Sequence, residues 1–491
     1  MQSARRFVRL PAALVAAVLV ARCSSDHPTS PSFLAATAAH PVITGVSITS
    51  DSLNVLATEL AVTVTGADSV RARAILPNGA ESPPAAPVVS GTAHILHLGV
   101  LPQTLFRYVI DAYNNAGLHA TRIADFRTPQ LPYYVQTAHL TTMMGRPESG
   151  YTIVSPLQFV KDTGLIVAYD SIGRIRWYRL VPGHVTDESK MQPNSHYTAF
   201  VANLAPNVSQ VQLAGVYTEF LPNGDSVASY QAPAPLGTDL HEMWLEGPPG
   251  GPQSVFLFGV QTRIADLTSV GGAPNTPTQG HILLRMSASG AVELSFNSWD
   301  HWTIADWIEP TGLSILDFDH PNSLDFDLDS NYIVSYRHLG AIVKVNAQTG
   351  AIMWQLGGRK NQFAILNDPL KFFSGQHSVR VLPNGHLLIY DNGLRHTPPH
   401  TRAAEYVLDQ TKLTATLVWE YDPRPYVFTG FVGSVQRLSN GNTVVGFGAL
   451  GRVDEVTPSA AVVWSAQFSL YGSPEFYRVH RIKSLYEWGD P

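Results

Sequence analysis

The sequence has little cysteine, little charge and few long apolar runs, and each shortage closes off a class of protein. Cys23 is the single cysteine among 491 residues. No intrachain disulfide can form, and no CxxC-type zinc site can be built. Charged residues make up 14% of the chain, against about 25% in an average soluble protein. The formal net charge is -6. Nucleic acid is therefore not a default partner, because binding phosphates needs a positive field. Beyond the N-terminal segment, no apolar run is long enough to span a membrane. A glycine loop for cradling phosphates and a dense carboxylate cluster are missing too, which disfavours divalent-metal phosphoryl transfer. Stretches with helical periodicity are few.

What is present is turn-forming and apolar. The chain has 38 glycines, 35 prolines and a 45% hydrophobic share, a composition that suits a turn-rich β protein with a large core. At the start, Arg5, Arg6 and Arg9 precede an apolar run over 10–21. A charged segment followed by so short an apolar one reads as an export signal. Cys23 follows directly, and the arrangement resembles a bacterial lipoprotein signal, in which the cysteine is lipidated. Arg22 stands where that signal has a small residue, so an ordinary secretory signal remains open beside membrane attachment through a lipid at Cys23. Either way the mature protein is expected outside the cytoplasm, periplasmic or secreted. Residues 24–40, rich in Pro, Ser, Thr and Ala, read as a flexible tether.

Residues 41–130 alternate in short strands with frequent turns, the pattern of a β-sandwich. The stretch from Leu101 through Tyr108 to Pro129 resembles the closing strands of a fibronectin type III module, with Tyr108 as its tyrosine corner. Such modules serve as spacers or docking surfaces, which leaves a homodimer open. Residues 131–491 carry a weak repeat: a strand, a polar turn, then a strand ending in an aromatic. Ile166 leads through Gly173 to Trp177, Val216 through Gly224 to Tyr230, and His281 through Gly290 to Phe296. Ile342 leads through Gly350 to Trp354, Ala404 to Trp419, and Val453 to Trp464. Hairpin signals at Asn384-Gly385 and Asn440-Gly441 interleave with them. Repeats of this length read as propeller blades. The expected fold is all-β: a six-bladed β-propeller preceded by the sandwich. Seven blades or two stacked sandwiches are the alternatives.

Side chains that act together in a propeller gather at one mouth of its channel. Three histidines stand before candidate inner strands: His241 before Val255, His320 before the strand from Asn331 to Tyr336, and His377 before the Asn384-Gly385 hairpin. Proline pushes the residue before it toward an extended conformation, so His320 and Asn322 are expected to project to one side. Pro321 should mark a strand start, since it cannot donate within a ladder. Ser335 and Arg337 should share a face of their strand. Neutral imidazole is a usable nucleophile near neutral pH, and arginine offers a permanently charged fork for an oxyanion. With added donors the set suits transfer of an anionic XO₃ group through a covalent histidine. His338, His396 and His400 read as surface or loop residues, and Arg395 and Arg402 as candidates for the pocket mouth. Asp325, Asp327 and Asp329 alternate, but lack the glycine and glutamate of a calcium loop.

The ordered set Asp317-x-x-His320-x-Asn322-Ser323, Ser335-x-Arg337, Gln376-His377 with Leu382-Pro383-Asn384-Gly385, Asp391-Asn392-Gly393, and Tyr477 to Tyr486 resembles the bacterial arylsulfate sulfotransferase family. The resemblance implies a six-bladed propeller with an N-terminal β-domain, acting without a cofactor. It implies ping-pong sulfuryl transfer from an aryl sulfate donor to a phenol acceptor. His377 would be the nucleophile that becomes sulfohistidine. His320, Asn322 and Arg337 would hold the sulfuryl oxygens. His241 would donate to the sulfate or handle the phenol proton. Two departures stand out: the disulfide of some members cannot form here, and Leu245-Glu-Gly-Pro-Pro-Gly-Gly replaces the usual Leu-Pro-Asn-Gly after His241. Other readings of the residues are a non-catalytic adhesion or glycan-binding propeller, and a histidine-ligated metal-dependent lyase or hydrolase.

Overall fold

Alternating apolar and polar positions fit the two-residue period of a pleated strand, and nearly every element of the chain is a strand. The computed structural model describes residues 39–489 apart from 77–78, 137, 146, 158–162, 204–213, 248–252, 309–315 and 470–473. The readings placed on the export signal, Cys23, most of the tether and residues 248–251 after His241 lie outside the described residues. Among the described residues the single α-helix is Tyr133–Gln136, and no helix is long and apolar enough to cross a membrane.

Two sheets come first. Val42–Asp51, Asn54–Thr65 and Thr92–Leu98 form one; Gly79–Glu81, Ser69–Leu76, Leu105–Tyr113 and His119–Arg127 line up in the other. Their alternation buries one face as expected: Leu60, Val62 and Val64 on the first, Val70, Ala72 and Ala74 on the second. Tyr108 is buried, but its hydroxyl meets His97 Nδ1 at 2.9 Å, a ring partner where a tyrosine corner has upstream backbone. This core runs on into the neighbouring sheets, since Phe106 and Ile110 share a cluster with Val154, Leu165 and Tyr169. Val55 N donates to Tyr178 Oη at 2.9 Å, and Leu98 N to Tyr486 Oη at 2.7 Å. His40–Pro491 forms one compact unit.

Among the described residues the remaining strands make six sheets, each with four strands in antiparallel succession and three of them with a fifth strand. Their first strands are His184–Met191, Gly237–Glu246, Pro321–Phe326, His377–Val381, Ser434–Arg437 and Phe476–Ile482. Each touches the next, and the last touches the first, so the six close a ring. Closure joins the two ends of the region. Phe476–Ile482 pairs with Tyr151–Pro156, while His139–Gly145 pairs with Val462–Ser469. Pairing both ends removes the exposed edges an open sheet would have. The six sequence repeats are the outer hairpins, the third and fourth strands of each sheet. Their tryptophans pin neighbouring sheets: Trp177 donates to Pro222 O at 2.9 Å, Trp419 to Pro458 O at 2.9 Å, and Trp464 to Ser171 O at 3.1 Å.

The structure moves the inner strands one step earlier than the sequence reading did. Tyr332–Tyr336 and Ser254–Ala265 are second strands, and His241 lies within a first strand. Pro321 does begin a strand. His320 is not extended, however: its φ is 50°, in the left-handed region that costs a non-glycine residue energy. Register between first and second strands breaks at Pro321/Ser323 and His377/Arg380, and similarly at Asp187/Ser189 and Thr238/Met243. Ser378 follows His377 with φ 49°. Such bulges turn side chains out of the alternating pattern. The strand also ends at Tyr336, so Arg337 sits on the turn after it and shares no strand face with Ser335.

Candidate active site

The bulges bring four imidazoles together. The rings of His241 and His320 are 4.4 Å apart, and those of His320 and His338 are 4.5 Å apart. Tyr477 bridges the group, with ring centroids 5.6 Å from His241 and 6.5 Å from His377. His241, His320 and His377 are all buried. His338, read from the sequence as a surface or loop residue, therefore belongs to this cluster.

All four rings are held by Nδ1. His241 Nδ1 faces both oxygens of Asp239 at 3.0 Å. His320 Nδ1 bonds Asp317 Oδ2, and His338 Nδ1 donates to Asp317 O at 2.6 Å. His377 Nδ1 lies 3.0 Å from Gly375 O and 2.7 Å from Asn392 Oδ1. The Asn392 amide is fixed in turn, donating to Thr429 O at 2.8 Å and to Val432 O at 3.0 Å. Its oxygen must then face His377, which sets Nδ1 as the protonated nitrogen and leaves Nε2 with the lone pair.

The backing groups differ in charge. His241 and His320 have the carboxylates of Asp239 and Asp317 behind them. His377 has only a carbonyl and an amide oxygen, both neutral. Burial is the main cause that holds the His377 imidazole well below the usual range, with the nearby Arg337 charge adding to it and the Asn392 bond opposing. Burial likewise holds His320 well below that range, helped by His241 and Arg337. His338 is pushed down to about 3, chiefly by burial, and its Nε2 accepts from Arg337 Nη1 at 2.6 Å. His377 is thus the ring with neutral backing and, among the described residues, no hydrogen-bond partner at Nε2.

Arg337 also donates to Gly430 O at 3.1 Å. Asn322 is fully buried and gives one amide proton to Gln376 O at 2.6 Å, beside His377. Gln376 is tied back to Ser335 Oγ and Tyr336 O at 3.2 Å. Beneath the site, Arg478 donates to Asn322 O at 2.9 Å, Glu242 at 2.7 Å and Glu188 at 3.1 Å. Burial would raise the Glu242 carboxyl, but Arg380, Arg478 and Lys190 outweigh it and hold it well below its usual range. The sequence reading singled out none of Asp239, Asn392, Glu242 and Arg478 for a role. Asn392 and Arg478 lay inside quoted motifs; Glu242 had no signal beyond following His241.

Two expectations are corrected. Arg402 does not line a mouth: it is fully buried, with Nη atoms 3.0 and 2.9 Å from Asp368 and Nε 3.1 Å from Asp391. His396 and His400 do lie on a loop, between the strands ending at Asp391 and starting at Arg402, but both are buried rather than on the surface. Arg395 is exposed and lines a cavity of about 320 Å³ with Arg359 and Phe372. Asp327 and Asp329 converge on Lys344, an ion pair rather than a calcium loop. His281, Asp317 and Asp319 bring ligand-type atoms within 4.8 Å of one another. His281 Nδ1 contacts Asp319 at 2.5 Å and Nε2 contacts Asp239 at 3.4 Å. An imidazole donating from both nitrogens has no lone pair for a cation, so the group is a proton-sharing chain rather than a ligand set.

Two outcomes follow from the His377 surroundings. If His377 is the nucleophile that the resemblance implies, Asn392→Ala should lower the rate of its covalent loading by about 10²-fold, as expected for a misaligned reacting group, with little effect on donor binding; rapid-quench measurement of loading against donor concentration checks this. The depressed His377 pKa means that its neutral form is lost only when pH falls through that lowered value. Loading should therefore not decline as pH falls through the ordinary histidine range near about 6.5; such a decline in single-turnover rates would contradict it.

Comparison with known proteins agrees with the motifs. No curated protein matches the chain. Among solved structures, it is similar to a protein of unknown function from Bacteroides caccae, with 13% identity over 69% of this chain and 100% of that one, TM-score 0.42. It is also similar to a catalytically inactive virginiamycin B lyase from Staphylococcus aureus, with 9% identity over 67% and 99%, TM-score 0.34. A streptogramin B lyase gives 9% over 70% and 90%, TM-score 0.35. The family resemblance is borne out where its motifs lie: residues 309–471, which hold His320, Asn322, Arg337 and His377, match the model of the Arylsulfotransferase (ASST) family.

Proposed function

We propose that this chain is an aryl sulfotransferase working by a ping-pong mechanism through a sulfohistidine at His377. The carrying observation is the His377 ring: Nδ1 tied to neutral oxygens, burial opposing protonation, and Arg337 close enough for its charge to act on it. In the first half, Nε2 attacks the sulfur of an aryl sulfate. The sulfur–oxygen bond to the aryl group breaks, and the aryloxide leaves with a proton from a neighbouring imidazolium. In the second half, a phenol gives its proton back, attacks the same sulfur, and the sulfur–nitrogen bond breaks with its electron pair returning to Nε2.

Arg337 and Asn322 are suited to hold the sulfuryl oxygens, Arg337 by its fixed charge and Asn322 by its second amide proton. His320 joins them as a donor when protonated, which an arriving anion favours. His241 is the proton carrier. The scaffold reading is a six-bladed propeller, supported by six sheets and a closed ring of first strands, preceded by the fibronectin-like module. The export reading, with the mature protein outside the cytoplasm, rests on Arg5, Arg6, Arg9, the apolar run and Cys23.

The test is incubation with p-nitrophenyl sulfate, quenching, and intact-mass measurement followed by peptide mapping. One added SO₃ on His377, discharged by a phenol, is expected. Turnover with no adduct, or an adduct on another residue, overturns the assignment.

A further inference from the structure

A further buried histidine stands behind the ring cluster. His281 lies on the third strand of the sheet whose first strand carries His241. It is buried, as are Asp239, Asp317 and Asp319 around it. Its Nε2 is 3.4 Å from Asp239 Oδ2. Its Nδ1 is 2.5 Å from Asp319 Oδ1, and its backbone N donates to Asp319 Oδ2 at 3.0 Å. Asp239 faces His241 Nδ1 with both oxygens at 3.0 Å, and also accepts from the His241 backbone N at 2.9 Å. The chain His241–Asp239–His281–Asp319 thus runs from the site into the wall of the sheet, with each link a hydrogen bond or close ion pair.

We propose that His281 is a positioning residue: an imidazolium clamped between Asp319 and Asp239 that orients the Asp239 carboxylate and, through it, presents His241 Nε2 as the group that takes the acceptor's proton. This rests on the sulfotransferase reading and deepens it by assigning the proton step. Three features support the geometry. A carboxylate alone in so dry a place would be costly, and the His281 charge offsets Asp239. The carboxylates of Asp319, Asp239 and Asp317 outweigh burial and hold the His281 imidazole well above the usual range. His241 and His281 in turn hold the Asp239 carboxyl well below its range against the effect of burial. Asp239 therefore stays an anion that accepts from His241 Nδ1, leaving Nε2 bare for a phenol proton. In the second half-reaction that proton moves from the phenol oxygen to Nε2, and the positive charge appears on a ring already facing a carboxylate. The other half-reaction returns it to the departing aryloxide, so the ring ends unchanged.

The charges around His241 fix the sign of the test. Asp239 faces it as an anion, and Asp187, whose carboxyl burial pushes up to about 7, lies near; His320, His377 and Tyr477 lie beside it, and Arg478 donates to its backbone oxygen at 3.4 Å, with Glu188 and Glu242 behind. His281 is faced by Asp239, Asp319 and Asp317, with Ser298 Oγ and His320 near. Removing the His281 charge leaves Asp239 uncompensated and raises the His241 pKa. Removing the Asp239 charge lowers it.

The experiment is nitrogen NMR titration of histidine side chains in the full chain, as wild type, His281→Gln and Asp239→Asn, with His241→Gln used to assign the signal. Expected are an Nδ1-protonated neutral tautomer at His241 and midpoints moved by at least about half a pH unit, upward in His281→Gln and downward in Asp239→Asn. The same opposite displacement should appear in the pH profile of discharge of preloaded enzyme by a phenol. An Nε2-protonated tautomer in the wild type, or midpoints equal in the variants, overturns the proposal, and the wild-type measurement holds even if one variant fails to fold. Opposite shifts in a protein that transfers no sulfuryl group would keep the chain of histidines and carboxylates and overturn the sulfotransferase reading instead.

Discussion

His377→Asn is expected to lower aryl sulfate turnover by about 10³-fold or more and to abolish covalent loading. Asparagine is compact and polar enough for the place His377 occupies beside Gly375 O and Asn392 Oδ1, but its amide nitrogen has no lone pair for attack on sulfur. The residual rate reports what Arg337 and the other donors contribute without a nucleophile. Folding should persist, since losing a ring from this position removes packing worth about 1–3 kcal/mol and no core strand pairing. The check pairs a steady-state assay with p-nitrophenyl sulfate and intact-mass detection of the adduct. Activity within a few-fold of wild type would end the assignment of His377. Loss of activity with a persistent adduct would transfer the nucleophile's role to another histidine of the cluster.

The largest expected effect on stability is at Arg402. Its guanidinium is fully buried and is shared by Asp368, Asp391 and Glu420, with Tyr406 Oη 3.2 Å away. Arg402→Leu would strand two fully buried carboxylates. Breaking a buried pair from one side costs about 3–5 kcal/mol, because the remaining charge has no compensation. Asp391 also accepts from Ser374 N at 2.9 Å and Gly393 N at 3.0 Å, so the loss falls on the turns flanking Gly375, Asn392 and His377. A denaturant midpoint lowered by that amount is expected, together with reduced loading of His377. Asp368→Asn in the same background should return part of the stability, since it removes one stranded charge. An Arg402→Leu protein as stable as wild type would show that these carboxylates accept protons or water at little cost.

Much of the architecture was legible because strands and hairpins are local. The repeats around Trp177, Trp354, Trp419 and Trp464 depend on nearest neighbours and on Gly and Asn turns, and each is an outer hairpin in the structure. The inner strands were misplaced by one because they are short and nearly wholly buried. Tyr332–Tyr336 is the more apolar of the two while Pro321–Phe326 mixes in Asn322, Ser323 and Asp325, and such short segments do not say which lies nearer the axis. The position of His320 failed for a different reason. Proline steers its neighbour away from the right-handed helical region, yet the tertiary bulge selected a left-handed backbone at 50° over an extended one. Arg402 was misread because it follows the polar, proline-containing stretch Thr397 to Thr401, while its partner Asp368 lies 34 positions away.

Sequence alone determined the residue types that can carry charge and protons here: histidines without cysteines, arginines, and an all-β scaffold to present them; it did not show that Asp239, Asp317 and Asp319 gather around His281. It also determined the ordered motifs that residues 309–471 share with the Arylsulfotransferase (ASST) family. Tertiary structure decided which histidine faces which backing group. Asn392 behind His377, Asp239 behind His241 and Asp317 behind His320 differ in charge rather than in reach. Each joins residues brought together by a bulge or a loop, and a bare nitrogen becomes a nucleophile or a base according to the charge on the atom behind it.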